Sequence, residues 1–316
     1  SSVTQGLLVQ RASEFLERGS AVYSGLASYQ DNLNLQVKQQ VDKINDYGEK
    51  LLDLNDRVRA IESGGIEHAN DLRDARNQIL DELAELTNIS FAEDITGNVS
   101  IQIEGVDFVK GGTCYEIGLD TDPTTGFYTP FWPQNASYIL RDNGTKSYNI
   151  DGAEVFNFNV EISSDYGTDV GGLKAMLLAR GDHRADYTDA IEGNYDKVSQ
   201  SVLMNIQAEF DQLSHNVVTK INDIFAEAAG RQQGDLEIVG EDGTAQTLEN
   251  AKYVESDPGA YMRNEDGSPI RMFDKITTDA YSKVTGTDGK TYWVYNEEKE
   301  GVPESLYTLK NLQIDQ

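Results

Sequence analysis

The chain has 316 residues, with 54 acidic against 26 basic side chains and a net charge of −28. Such a chain repels a phosphate backbone and an anionic bilayer surface, which argues against nucleic acid and membrane as partners. The single cysteine, Cys114, excludes an intrachain disulfide, and the six prolines leave room for long helices. Length sets a prior of about two domains, and 16 Tyr and 10 Phe suffice for a packed core despite a mean hydropathy of −0.51.

Residues 1 to 62 read as helix, weakly interrupted at Gly19 and Gly25, where a kink is expected. Val37, Ile44, Leu51 and Val58 recur every seven residues, with Leu33, Tyr47, Leu54 and Ile61 in the alternate seam and Gln40 as its polar member. Gly64 and Gly65 end the helix. Asn70 is the expected N-cap of a second helix reaching about Asn88, with Leu72, Ala75, Ile79, Leu83 and Leu86 as its buried stripe. The short connection implies an antiparallel hairpin.

The period then changes to two. Val99, Ile101 and Ile103 alternate with polar residues, a turn falls at Glu104–Gly105, and Val106 to Val109 follow. Asn143–Gly144 signals a tight hairpin. Val155, Phe158, Val160 and Ile162 read as a further strand, so 91–167 is an antiparallel β segment. Helix returns at Leu173–Ala179, and a long helix is expected over 187–229. Its stripe of Ile191, Tyr195, Val198, Val202, Ile206, Phe210, Leu213, Val217, Ile221 and Ile224 needs a partner surface that the first helix supplies. In 233–316, Asp242–Gly243, Asp266–Gly267 and Asp288–Gly289 are turn signals and Tyr292–Tyr295 is a strand.

The expected fold class is therefore α+β, an elongated, discontinuous antiparallel helical bundle carrying two antiparallel β-rich parts. Its helical body is 1–90 plus 168–232, a β segment spans 91–167, and 233–316 forms a second β-rich domain whose last residues, 303–316, are free to return to the helical body. The expected core seam is Val37, Ile44, Tyr47, Leu51, Leu54 and Val58 on the first helix with Ile206, Phe210, Leu213 and Val217 on the long one. Residues 1–90 and 171–232 hold 24 acids and 15 bases, and residues 91–170 and 233–316 hold 30 acids and 11 bases. Crowded copies cannot all present dense like charge to each other, so the helical parts are expected to make subunit contacts and the β parts to face water.

Signals for chemistry are weak. His68, His183 and His215 lack a neighbouring histidine at ligand spacing, which argues against zinc. Asp120-Thr121-Asp122 with Gly126 faintly resembles the start of a calcium loop, but Pro123 and a missing closing glutamate break it. Asp165 and Asp169 oppose an anion at Gly171–Gly172. Cys114 reads as a small buried hydrophobe rather than a nucleophile. Tyr292–Tyr295 reads as a half-buried strand in preference to a carbohydrate platform. No catalytic residue, metal ligand or cofactor site is expected.

Val41-Asp42-Lys43-Ile44-Asn45-Asp46-Tyr47 and Leu52-Asp53-Leu54-Asn55-Asp56-Arg57-Val58 are similar to one helix of the flagellar hook-associated protein 1 family, and Asp71 to Leu83 to the next, with Ala75 and Asn77 as departures. Gly171 to Arg180 resembles a Gly-Gly segment shortened by one residue. Phe210-Asp211-Gln212-Leu213 with Val218-Thr219-Lys220-Ile221-Asn222, and Leu306-Tyr307-Thr308 with Asn311-Leu312-Gln313-Ile314, are similar to later elements.

The resemblance implies a structural flagellar subunit joining hook to filament, a chain lacking both terminal segments, and no enzymatic residues. It implies export through the flagellar type III apparatus without a cleaved signal peptide. The implied partners are the chain's own copies, the hook protein, hook-associated protein 3, and an export chaperone acting through an absent terminal segment. The alternative is a secreted, adhesin-like binding module using 233–316.

Overall fold

The structure, a computed structural model, describes residues 2–65, 68–160 and 162–315. Expectations touching residues 1, 66, 67, 161 and 316 lie outside the described residues. The fold is α+β, with helices and small antiparallel sheets. The first helix, α1 (Ser2–Glu62), runs without interruption through Gly19 and Gly25. A lone helical glycine costs only about 1 kcal/mol, which continuous backbone hydrogen bonding and packing absorb. Two compact units divide the chain, one formed by 1–27, 185–199 and 205–316, the other by 28–184 and 200–204.

In the second of these units, α1 from residue 28 is followed by α2 (Asn70–Leu86) and strands β1 (Ile89–Glu93), β2 (Val99–Ile103), β3 (Val106–Lys110) and β4 (Thr113–Cys114). These four strands form an antiparallel sheet in chain order. Two hairpins follow, β5 (Gly118–Thr121) with β6 (Tyr128–Phe131) and β7 (Ser137–Leu140) with β8 (Lys146–Asn149), and then α3 (Gly172–Arg180). The expected hairpin turns form at Glu104–Gly105 and at Gly144.

The core joins Val37, Val41, Ile44, Tyr47 and Leu51 of α1 to Leu80 and Leu83 of α2. Ile101, Ile103 and Phe108 of the sheet, Trp132, and Leu173 and Leu177 of α3 complete it. Each fully buried Ile or Leu here contributes about 1.5–3 kcal/mol. Gly48 sits under the sheet, where a Cβ would come within 2.5 Å of Phe108 Cζ and Cys114 Sγ, so only glycine allows this approach.

Three local expectations are corrected in this unit. Asn70 is the first helical residue rather than the cap; the position before it is Ala69, whose N–H is held by the Glu62 carboxylate at 3.0 Å. The buried face of α2 is Arg76, Leu80 and Leu83, and Ala75 is exposed, because Arg76 finds carbonyl and carboxylate partners inside. No strand forms among the described residues of 155–162. Val155 and Phe156 are buried beside the isolated Phe131–Glu154 bridge instead.

In the other unit the expected long helix over 187–229 breaks up. A 3₁₀ turn (Tyr187–Ala190) and α4 (Tyr195–Val198) precede α5 (Val202–Ala228). Gly193 has φ 92°, outside the helical region, and Asp186 caps the 3₁₀ turn, so the chain is punctuated where apolar spacing alone suggested continuity.

Ala12, Phe15, Leu16 and Tyr23 of α1 pack with Phe210, Val218, Ile221 and Phe225 of α5. The same core takes in Met272, Phe273, Tyr307, Leu309 and Leu312. Thus only Phe210 and Ile221 of the expected stripe, with Val218 and Phe225, pack against the N-terminal stretch of α1 and the C-terminal segment, whereas Ile191, Val202, Ile206, Leu213 and Ile224 are exposed; the heptad seam of α1 is partnered by α2, α3 and the first sheet.

Strands β9 (Gln232–Val239), β10 (Ala245–Glu255), β12 (Tyr281–Thr285) and β13 (Thr291–Tyr295) form a sheet in the order β12-β13-β10-β9. Its two outer strands also approach each other, through the Ile238–Gly286 bridge and a Thr287 N–H donated to the Glu237 carbonyl at 3.0 Å. The sheet therefore curls toward closure around Leu236, Ile238, Leu248, Tyr253, Tyr292 and Val294, which protects its edges. A short pair, β11 (Phe273–Lys275) with β14 (Leu312–Ile314), brings the last described residues back beside α5.

Candidate functional site

The polar residues that organise this chain lie on its helices and bind backbone. Asn55, 5% exposed, donates to the Val99 carbonyl at 2.8 Å and accepts the Val99 N–H at 3.0 Å, reproducing the hydrogen bonding of a neighbouring strand. Asn45 does the same to Ile117, at 2.9 Å in both directions. Asn34 donates to the Gly126 carbonyl at 3.0 Å and accepts from the Tyr128 N–H at 2.8 Å. Three side chains of one helix thus hold three separate β turns and strands. In the other unit Asn222 of α5 donates to the Phe273 carbonyl and accepts the Met272 and Phe273 N–H groups. A carboxamide is suited to this because it carries donor and acceptor at peptide spacing.

Charged groups reinforce the clamps. Arg76, almost fully buried, donates to Asn55 Oδ1, the Gly97 carbonyl and Glu93. Burial pushes its guanidinium below the ordinary arginine value. Arg73 bridges Glu62 at 2.6 Å and Glu93 at 2.7 Å. The Arg73 hydrogen bonds, helped by the Ala69 N–H, bring the Glu62 carboxyl down to about 2. Arg180 of α3 donates to Asn34 Oδ1 and the Tyr128 carbonyl and stacks over Phe127 at 4.7 Å. Burial lowers Arg180 to about 10.

Reactive groups do not converge. Among the described residues no cluster of three or more His, Cys, Asp or Glu side chains is placed to hold a metal ion. His68 lies 3.9 Å from Glu62, His183 pairs with its neighbour Asp182 at 2.6 Å, and His215 pairs with Glu298 at 2.8 Å. Burial, with Glu49 and Glu116 nearby, pushes the Cys114 thiol up to about 12, the opposite of an activated nucleophile. Asp122 caps its own turn through the Thr124 N–H and Thr125 hydroxyl. Tyr292 faces the interior of the curled sheet and Trp293 donates to Ser256 Oγ, so the aromatic run is a half-buried strand.

The seam residues divide into two groups. Val37, Ile44, Tyr47, Leu51, Leu54 and Val58 are buried. On α5, Phe210 and Val217 are half-buried, whereas Ile206 and Leu213 are 45% and 61% exposed, which corrects their placement in the core. The buried face of this helix is instead Gln207, Ala208, Asp211, Ser214 and Val218, because Gln207 accepts the Ala185 N–H, and Asp211 accepts the Tyr187 and Leu309 N–H groups. Apolar spacing could not reveal that Gln207, Asp211 and Ser214 are buried among apolar residues of this helix. The outcome is an exposed apolar row, Ile206, Leu213 and Ile224, and α1 of the same unit exposes Leu8 and Val22. The signal that could have found the clamps was the asparagine following a heptad apolar residue, as in Ile44-Asn45 and Leu54-Asn55.

Residues 1–237 match the family model for the helical domain of the flagellar hook-associated protein FlgK. No curated protein is significantly similar in sequence. Among solved structures, the flagellar hook junction protein FlgK from Burkholderia pseudomallei is similar in fold, with a TM-score of 0.52 at 16% identity, over 98% of this chain and 53% of that one. The chain therefore spans about half the length of that protein.

Proposed function

The chain belongs to the flagellar hook-associated protein FlgK family, and from that premise we propose that it is a structural subunit joining the hook of a bacterial flagellum to its filament, working by packing against neighbouring axial subunits. The observation that carries this reading is the pair of exposed apolar helix surfaces. Ile206 and Leu213 lie seven residues apart, as in a coiled-coil seam, and both are exposed. A surface of that period suits the helix of a neighbour. The partners we propose are further copies of the chain, the hook protein, hook-associated protein 3 and an export chaperone.

The helical residues, 1–90 and 168–232, carry the mixed charge and are proposed as the contact-making body. The more acidic 91–167 and 233–316 are proposed to face water. No helix among the described residues is long and apolar enough to cross a membrane, and we place the protein outside the cell, in the flagellum, after type III export. Electron microscopy of cells lacking the gene tests the reading. Hooks without filaments are expected, with filaments restored by the wild-type gene but not by one carrying Ile206→Asp and Leu213→Asp together. Normal filaments in the deletion strain would sink the proposal. Full rescue by the double variant would remove α5 as the contact surface.

A further inference from the structure

One cluster of buried titratable groups is left over by this function. Asp211 on α5 has no accessible surface, and no Lys or Arg among the described residues makes an ion pair with it. Its carboxylate holds two chain segments remote from each other: Oδ2 accepts the Tyr187 N–H at 2.9 Å, and Oδ1 accepts the Leu309 N–H at 2.8 Å. One turn along the same helix, His215 stacks on Tyr187 with ring centres 3.8 Å apart and pairs with Glu298. Glu298 accepts in turn from the Tyr187 hydroxyl at 2.9 Å and the Tyr307 N–H at 2.6 Å. The 185–190 turn and the 306–311 segment are thus pinned to α5 by the same few side chains.

We propose that this knot is a pH-graded latch, in which Asp211 binds the 185–190 turn and the 306–311 segment to α5 more tightly as the surroundings become mildly acidic. A carboxylate taken wholly out of water with no counter-cation is favoured by taking up a proton, against the pull of its two N–H donors, whereas an opened, hydrated Asp211 is not. Burial dominates, outweighs the two N–H donors, and raises Asp211 to about 6, with Asp186 of the turn adding to the rise and His215 opposing it.

The other ionisable groups facing the knot are Asp189, bonded to the Asp186 N–H, and Glu298, Tyr187, Tyr307 and Lys275. Burial works to raise Glu298, but His215, the Tyr307 N–H and Tyr187 together hold it below the usual range, so it stays charged while Asp211 titrates. The sign follows from the raised value. The closed latch binds more protons than the open one between the two values of Asp211, so closure strengthens as pH falls through about 6 toward the ordinary aspartate value of about 3.9.

Hydrogen exchange on the full chain at pH 7.5 and pH 5.0, corrected for intrinsic exchange, tests this. Protection of the Tyr187 and Leu309 amides is expected to rise about tenfold on going to pH 5.0, the ratio that follows from those two values. In Asp211→Asn the rise should vanish, and in Glu298→Gln it should persist. A pH-independent wild type overturns the proposal whether or not Asp211→Asn folds. So does an undiminished rise in Asp211→Asn, or its loss in Glu298→Gln, which would assign the sensor to the His215–Glu298 pair.

Discussion

Replacing Asn55 with alanine tests the idea that carboxamides, not only apolar contacts, fix the β segment to α1. The substitution removes three hydrogen bonds at once: to the Val99 carbonyl, from the Val99 N–H, and from Arg76 Nη1. Val99 is 3% exposed, so its peptide groups cannot turn to water. Arg76 keeps the Gly97 carbonyl and Glu93, which leaves two backbone groups as the main loss. At about 1–3 kcal/mol per buried group left without a partner, the expected destabilisation is about 2–6 kcal/mol.

Urea unfolding followed by circular dichroism reads the change as a lower midpoint. Hydrogen exchange at the Val99 amide localises it. Asn55→Asp keeps the acceptor for the Val99 N–H and gains charge opposite Arg76, but sets a carboxylate oxygen against the Val99 carbonyl in a buried site, so it should not restore wild-type stability. A loss below about 1 kcal/mol in Asn55→Ala would refute the assignment of structural work to this side chain.

Leu54→Ala, at a buried position of the α1 seam, should cost about 2–5 kcal/mol in the same assay, whereas Leu213→Ala, exposed on α5, should stay within about 0.5 kcal/mol. Glu62 lies below its ordinary value in the fold, so its pairing with Arg73 supports stability above pH 4.5 and is lost as pH falls toward about 2; Glu62→Gln should lower the melting temperature at pH 7 and flatten the acid limb of the stability profile. Gly171 has φ 101°, and a Cβ there would lie 2.7 Å from the Thr87 Cα, so Gly171→Ala should cost more than the about 1 kcal/mol of a tolerated glycine replacement, seen as a lower urea midpoint.

Much of the fold was legible because it obeys simple periods. The α1 heptads from Val37 to Val58, the two-residue alternation of Val99–Ile103 and the Asp-Gly and Asn-Gly turns each follow from local geometry and are present where expected, whereas Ile61, expected in the seam, is 42% exposed. What was hidden depends on partners distant in the chain. Nothing in the composition of α5 says that Gln207 and Asp211 point inward while Ile206 and Leu213 point out; the N–H groups of Ala185, Tyr187 and Leu309 decide it. The break before α5 was masked because Ile191 and Val198 continue the apolar spacing across Gly193. The clamps left only a weak trace, since an asparagine beside a heptad position reads as surface until a strand lies against it.

The placement of Asn34, Asn45 and Asn55 makes α1 intolerant of changes in its length. Their separations of 11 and 10 residues are close to three turns each, which keeps all three within a sector of about 80°. Deleting one residue between Asn45 and Asn55 would turn everything beyond it by about 100° and draw it back by about 1.5 Å. Asn55 would then swing away from Val99 while Asn45 still gripped Ile117. Lineages of this protein should therefore vary freely in the identity of exposed α1 residues yet carry insertions and deletions only in the turns between strands, where slack has no lever arm.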